Sequence, residues 1–372
     1  MTIDSSEFSE LDRAFMTRAL EVAQKARFNA SPNPAVGCVL VRDGVVVGEG
    51  CTQPPGGPHA EIVALNNCDD THGTTAYTTL EPCAHYGRTG PCCDALIEAG
   101  VSRVVAALED PFEQVRGEGF ARLRAAGVEV VVGVLEDQAR TLHAGFITRL
   151  ETGRPWVTVK IAASLDGATA LANGQSKWIT CSKARADVHR MRACSDVVVT
   201  GAGTIVADDP MLTARVDSDW PLTQPRAVVL DSRFRSPAEA HVMQRDSLVY
   251  TLADVEVPAD ALFEHAVLPP DDVAGLSLSA LLDDLGSRNV NDVMVEAGAQ
   301  LSGGFIRAGL ADRVVLYQAH KLMGSRSRGM VDLGELTRMD EVIDVELLDT
   351  HRLGECTKIV FGFGTKVSRP NE

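Results

Sequence analysis

Lysine and arginine are in short supply: 35 of them against 51 Asp and Glu leave the 372-residue chain at −16 near neutrality. The deficit is even. Residues 1–150 carry 12 basic against 20 acidic groups, and residues 151–372 carry 23 against 31. A protein that grips the backbone of DNA or RNA needs a field of cations to displace counterions, so neither half reads as a nucleic-acid surface. A local pocket needs only one or two cations, which leaves a small phosphorylated substrate open. Long apolar runs are also missing, and none approaches the roughly 18 residues of a membrane span. Met1–Glu7 has neither the basic start nor the apolar stretch of a secretory signal. The expectation is a soluble cytoplasmic protein with no nucleic-acid or membrane partner. Cysteine is too sparse for a disulfide framework, since nine in a chain of this length is an odd, dilute count that points to buried thiols or a metal. Aromatics at 5%, charged residues at 23%, 32 Gly and 17 Pro exclude disordered, collagen-like and coiled-coil chains. At about 100–200 residues per domain, the length implies two.

What is present is alternation. Phe15, Ala19, Val22, Ala23 and Ala26 recur at helical steps. Ala35–Val41 and Val45–Glu49 are β-rich runs joined by a hairpin signal at Arg42-Asp43-Gly44. Helices are expected at His59–Asn67, Cys92–Ala99, Gly117–Ala126 and Glu136–Leu150, with strands at Thr75–Leu80, Val101–Leu108 and Val128–Leu135. Such an order implies a central sheet covered by helices on both faces. Thr152-Gly-Arg-Pro155 reads as the domain junction because turn-formers there separate a helix from a new strand, giving domains 1–152 and 153–372. The second half alternates again: strand Val157–Ala162, helix Ser182–Ala193, strands Asp196–Gly201, Arg226–Asp231 and Ser247–Thr251, helix Leu278–Ser287, strand Asn291–Glu296, helix Gln300–Gly309 and strand Arg313–Gln318. The acidic, Pro-bearing stretch Val255–Ala274 reads as a surface connection.

Chemistry concentrates first around His59-Ala60-Glu61. Pro82-Cys83 follows 24 residues after His59, and Cys92 comes nine further on. One imidazole and two thiolates leave a fourth position open, which is what a catalytic Zn²⁺ requires; the metal lowers the pKa of its water toward neutrality. Glu61, two residues beyond the histidine, is placed to shuttle a proton from water to a departing amine. His-x-Glu followed by Pro-Cys and a second Cys is the pattern of zinc nucleobase deaminases, whose usual spacing between the cysteines is two residues. Here Ala84–Pro91 separates them, and within it His85 and Arg88 are donors for a ring or a phosphate. Cys93 competes with Cys92, but one helical step turns a side chain by about 100°, so only one faces the metal, and Cys92 is assigned. The remaining cysteines and histidines, such as Cys38, Cys181, Cys356 and His143, read as ordinary core or surface residues.

The runs Ser31-Pro-Asn-Pro-Ala-Val-Gly37, Gly56-Gly-Pro-His-Ala-Glu61 and Leu80-Glu-Pro-Cys-Ala-His-Tyr-Gly-Arg-Thr-Gly-Pro-Cys92 closely resemble the deaminase half of the bifunctional riboflavin-biosynthesis deaminase–reductases. The resemblance implies a cytidine-deaminase-like α/β/α domain holding one zinc on His59, Cys83 and Cys92. It implies Glu61 as proton donor, Asn33 in contact with substrate, and His85 and Arg88 lining the pocket. Two positions depart from much of that family: Arg88, where Lys is common, and Thr52, where His is.

In the second half, Gly201-Ala-Gly-Thr204 follows a predicted strand and Val295-Glu-Ala-Gly298 opens a helix, so both offer backbone N–H groups to an anion. The third glycine of the dinucleotide fingerprint is absent, so this is not read as a Rossmann domain. Val159-Lys-Ile-Ala-Ala-Ser-Leu-Asp-Gly167, Trp178-Ile-Thr180, Asp208-Asp-Pro210 with Leu212 and Arg215, Val229-Leu-Asp-Ser232 and Glu296-Ala-Gly298 resemble the reductase half of the same family, which implies a dihydrofolate-reductase-like α/β domain. By that resemblance Lys160, Ala162, Trp178, Thr180, Thr204, Asp208, Ser232 and Gly298 bind NADPH. Ser176, Arg192, Leu212, Arg215 and Glu296 meet the substrate, and guanidinium forks suit its phosphate. Lys160 and Asp208 are further expected near the reacting carbon. The whole implies deamination of a phosphoribosyl diaminopyrimidinone, then NADPH-dependent reduction of its ribosyl group, by a homo-oligomer. The rival reading is a zinc nucleic-acid deaminase fused to a non-catalytic nucleotide-binding module.

Overall fold

A computed structural model describes residues 8–86, 90–112, 116–271 and 275–364. The chain forms two compact units, one of residues 1–153 with 218–223, the other of 154–217 with the remainder. Trp220, in the short excursion, packs on the first unit's core, a membership that no local pattern announces.

The first unit runs α1 (Glu10–Ala26), β1 (Gly37–Arg42), β2 (Val45–Cys51), α2 (Ala60–Asn66), β3 (Thr75–Thr78), α3 (Cys92–Glu98), β4 (Arg103–Ala106), α4 (Glu118–Ala125), β5 (Glu129–Val132), α5 (Glu136–Leu142) and α6 (Ala144–Thr152). Ser9 caps α1 by accepting from the Asp12 N–H at 3.0 Å, and Met16, Ala19, Leu20, Ala23 and Ala26 form its buried stripe. The hairpin turn places Asp43 and Gly44 at positive φ, as a two-residue turn matched to strand twist demands. The sheet order is β2-β1-β3-β4-β5, antiparallel across β2, β1 and β3 and parallel from β3 to β5. The helix expected at Glu136–Leu150 is instead two helices broken at His143. That imidazole is buried, with Nε2 3.3 Å from Thr79 Oγ1, and burial pushes its pKa down to about 4. Both helical pieces keep the same apolar period, so periodicity does not reveal the break.

The second unit runs β6 (Trp156–Ser164), β7 (Ala168–Ala170), α7 (Ser182–Ala193), β8 (Val197–Gly201), α8 (Ala202–Asp208), β9 (Arg226–Leu230), β10 (Ser247–Thr251), β11 (Glu264–Val267), α9 (Leu278–Ser287), β12 (Asp292–Val295), α10 (Ala299–Arg307), β13 (Arg313–Ala319), β14 (Arg328–Gly329), β15 (Glu346–Leu353) and β16 (Cys356–Gly362). Nine strands form one sheet in the order β11-β10-β9-β8-β12-β6-β13-β16-β15. It is parallel from β11 to β13, and β13–β16–β15 close it antiparallel. Val157, Val159, Val197, Val199, Val293 and Val295 fill one core cluster, while Val198, Val229 and Met294 fill another. Burial of both faces explains why these strands read as continuous apolar runs.

The stretch Val255–Ala274, expected as connection alone, contains β11, a four-residue strand exposed at both ends. β15 escaped the sequence reading because it is exposed along nearly its whole length and so carries no alternating apolar face. Asp166 has a structural job: it accepts from Ser164 Oγ and from the Met323 and Gly324 N–H groups, which hold its carboxyl at about 2. No helix among the described residues is long and apolar enough to cross a membrane.

Candidate functional site

His59 is the N-cap of α2, and Cys92 is the first residue of α3. Two helix starts and the Pro82-Cys83 loop thereby converge. His59 Nδ1 stands 3.3 Å from Cys92 Sγ and 3.6 Å from Cys83 Sγ, and the three ligand atoms all lie within 4.8 Å of one another. The Cys92 N–H points at Cys83 Sγ at 3.3 Å, a helix-terminus donor that favours thiolate. Cys83 is held down to about 4, chiefly by the Cys92 thiol that donates to it and then by His59; Cys92, as the donor, is pushed up. Cys93 turns away, with its sulfur 3.6 Å from Asp94 Oδ1. One borderline nitrogen and two soft sulfurs at this spacing suit Zn²⁺ and leave a coordination position for water.

Glu61 lies in the first turn of α2 and is 4% exposed. Burial, aided by the Cys83 charge, raises its carboxyl to about 7. A carboxyl so placed gives and takes a proton near neutrality. Cys38 of β1 pairs opposite Thr78 of β3, so Asn33 precedes β1 on the side where the chain leaves β3 toward Cys83. Asn33 is half-buried and His85 exposed. Arg88 lies outside the described residues.

Sequence reasoning missed Glu81. Its buried carboxylate accepts from the backbone N–H groups of Asp110 (3.0 Å), Gly117 (2.9 Å), Gly119 (2.9 Å) and Phe120 (3.4 Å). Three of these donors, Gly117, Gly119 and Phe120, lie at the start of α4, so Glu81 anchors the loop that carries Cys83. A Cβ on Gly119 would fall 2.1 Å from the Pro82 carbonyl oxygen, so only glycine permits this approach. Glu81→Ala would leave buried donors unpaired and is expected to cost about 3 kcal/mol or more. It is also expected to weaken zinc retention about tenfold or more, checked by urea unfolding and by competition with a chromogenic chelator.

In the second unit, Lys160 of β6, Arg192 of α7 and Glu296 after β12 meet. Glu296 accepts from Lys160 Nζ at 3.2 Å and from Arg192 Nε and Nη2, both at 2.9 Å. Burial alone would raise this carboxyl, but the Lys160 and Arg192 charges outweigh it and hold it at about 2. Arg192 Nη1 donates to the Thr213 carbonyl at 2.9 Å, so every nitrogen of that guanidinium is engaged. Arg215 is exposed and reaches Thr213 Oγ1 and His189. Leu212 is 2% exposed at φ +51°. Ser176 and Thr180 are half-buried in the segment before α7, where Trp178 is 67% exposed under the Arg185 guanidinium. His189, three residues before Arg192 on one helix face, is the second residue the sequence reading passed over.

Ala162 lies in β6, Thr204 in the first turn of α8 after β8, Ser232 two residues past β9, and Gly298 at the N-cap of α10 after β12. The strands β9, β8, β12 and β6 are consecutive in the sheet, so these residues line the carboxyl edge of four parallel neighbours, where ligands bind in open α/β sheets. Nothing lies within 4 Å of where a Cβ on Gly298 would stand, and a helix start of this kind offers backbone N–H groups to a phosphate. Asp208 closes α8 and is exposed, while Lys160 Nζ is paired with Glu296.

Residues 9–108 match the family model for the cytidine and deoxycytidylate deaminase zinc-binding region, and residues 155–359 match that for the RibD C-terminal domain. The riboflavin biosynthesis protein RibD of Haemophilus influenzae is 42% identical over 372 residues, covering 95% of this chain and 98% of that protein. The Escherichia coli RibD is 42% identical over 355 residues, 92% of this chain and 97% of its own length. Among solved structures, Acinetobacter baumannii RibD superposes with a TM-score of 0.87 at 38% identity, covering 96% of this chain and 99% of that one. A Thermotoga maritima diaminohydroxyphosphoribosylaminopyrimidine deaminase/5-amino-6-(5-phosphoribosylamino)uracil reductase gives 0.85 at 34%, covering 95% and 99%. Similarity across both halves disfavours a nucleic-acid deaminase joined to an inert module. The chain belongs to the RibD family of riboflavin-biosynthesis proteins, a deaminase followed by a reductase.

Proposed function

We propose that residues 1–152 hydrolyse the ring amine of 2,5-diamino-6-(5-phosphoribosylamino)pyrimidin-4(3H)-one, and that residues 153–372 then reduce the ribosyl group of the aminouracil product to ribityl with NADPH. The observation that carries the first step is a buried carboxyl, Glu61, beside one imidazole nitrogen and two sulfurs. His59, Cys83 and Cys92 would hold one zinc per deaminase domain, which when bound lowers the pKa of a coordinated water toward neutrality. Glu61 takes a proton from the attacking water on a carboxylate oxygen and delivers it to the departing amine nitrogen. A carbon–oxygen bond forms, the carbon–nitrogen bond breaks, and ammonia leaves. Asn33 contacts the substrate, with His85 and Arg88 lining its pocket.

For the second step, Ala162, Trp178, Thr180, Thr204, Ser232 and Gly298 would hold NADPH, which when bound supplies hydride. Ser176, Leu212 and Glu296 orient the substrate, with Lys160 and Asp208 toward the reacting carbon. Arg215 takes the phosphate. Arg192, spent on Glu296 and the Thr213 carbonyl, fixes Glu296 for its task.

The full zinc-loaded chain tests this reading. Given the diaminopyrimidinone without NADPH, it should release ammonia and stop at the aminouracil; added NADPH should then be oxidised mole for mole. NADPH consumption without ammonia release, or ammonia released from single-stranded nucleic acid instead, would contradict it.

We also propose that the protein works in the cytoplasm as a homo-oligomer. None of the nine cysteines is paired in a disulfide, as a reducing compartment keeps them. Exposed Leu336, Met339, Val342, Leu347 and Leu348 lie on and before the edge strand β15, an apolar border that a second copy would cover. Leu347→Lys is expected to shift the sedimentation coefficient toward that of a monomer; an unchanged coefficient would place the interface elsewhere.

A further inference from the structure

Arg215 extends from an irregular segment into solvent, yet its guanidinium is held at two points. Nη1 donates to Thr213 Oγ1 at 3.3 Å, and Nη2 stands 3.0 Å from His189 Nε2. A guanidinium has only donors, so Nε2 must accept and carries no proton. The other ring nitrogen, Nδ1, stands 3.2 Å from the Thr213 carbonyl oxygen, which only accepts, so the proton sits on Nδ1. The two contacts together require a neutral imidazole of one tautomer. The same carbonyl receives Arg192 Nη1, which ties the Arg215 arm to the Arg192–Glu296–Lys160 cluster.

We infer that His189 is the positioning residue that aims Arg215 at the phosphate of the reductase substrate, as a neutral imidazole bridging the Thr213 carbonyl and the guanidinium. The inference rests on the proposed phosphate role of Arg215. A long exposed side chain loses rotamer entropy when it grips a ligand; pinning it beforehand removes part of that cost. Among the described residues nothing else engages the remaining N–H groups of Arg215, so its fork stays available for phosphate oxygens. The charged groups facing His189 agree with its neutral state. Burial, Arg192 and Arg215 lower its pKa, against the weaker opposing pull of the Thr213 carbonyl and Glu296. Protonation would put a hydrogen on Nε2 and repel the guanidinium.

The experiment measures the reductase step of the full chain on the phosphorylated aminouracil and on its dephosphorylated form. His189→Ala should raise KM for the phosphorylated substrate about tenfold, with the loss falling on KM rather than kcat and with little change for the dephosphorylated form. His189→Gln, which keeps an acceptor, should recover part of the loss. In an Arg215→Ala background, His189→Ala should add nothing, because the group it aims is gone. Additive losses, or equal losses on both substrates, would overturn the role of His189 while leaving that of Arg215 standing. An Arg215→Ala variant with unchanged KM would overturn both.

Discussion

Glu61→Gln should retain zinc and lose ammonia release by roughly 10²- to 10⁴-fold, the contribution of a positioned proton carrier. Glutamine has the same shape and fits the same buried place, so the α2 start and the three ligand side chains should stay where they are. It cannot carry a proton between water and amine. The variant therefore separates two roles that proximity alone confuses. If Glu61 were a ligand, the substitution would reduce metal content together with activity. If it were a packing residue, ammonia release would persist. Zinc content and ammonia release, measured on one preparation, distinguish all three cases.

Glu296→Ala should have the largest effect on the second unit. It strands Lys160 and Arg192, whose side chains are 13% and 12% exposed, without their shared carboxylate. Breaking a buried ion pair in this way costs about 3–5 kcal/mol, and reductase activity should be lost with it. The pH dependence has a definite sign. The Glu296 carboxyl lies at about 2 in the folded chain against an ordinary 4.5, so it binds its proton more readily when unfolded. Its contribution is fully present above 4.5 and is lost as pH falls toward 2, in total on the order of 3 kcal/mol. Urea unfolding of the parent chain and of Glu296→Gln should show a stability gap that narrows across this window. A gap constant from pH 6 to pH 2.5 would contradict the assignment.

Features that depend on short-range pattern were legible in the sequence. The Asp43-Gly44 turn demanded two positive-φ residues and has them. His59, Glu61, Cys83 and Cys92 stand at helix starts and a loop within 34 residues of chain, so spacing and ligand chemistry suffice to group them. One helical step separates the directions of Cys92 and Cys93, and the two sulfurs do face different partners. Residues whose roles are set by distant backbone were not legible. Glu81 draws its donors from 29 to 39 residues away, and a Glu before Pro-Cys carries no sign of them. His189 becomes informative only when Thr213 and Arg215 are beside it. The α5–α6 break and β15 were hidden for a different reason: one preserves helical period and the other lacks a buried face.

The deaminase chemistry depends on a metal held by one histidine and two cysteines with a position left for solvent. Zinc-edge X-ray absorption on the purified full chain tests this most directly. It should show one zinc per chain with two sulfur neighbours at about 2.3 Å and two lighter nitrogen or oxygen neighbours at about 2.0–2.1 Å. A third sulfur in the first coordination sphere, or protein without zinc that still releases ammonia, would contradict it.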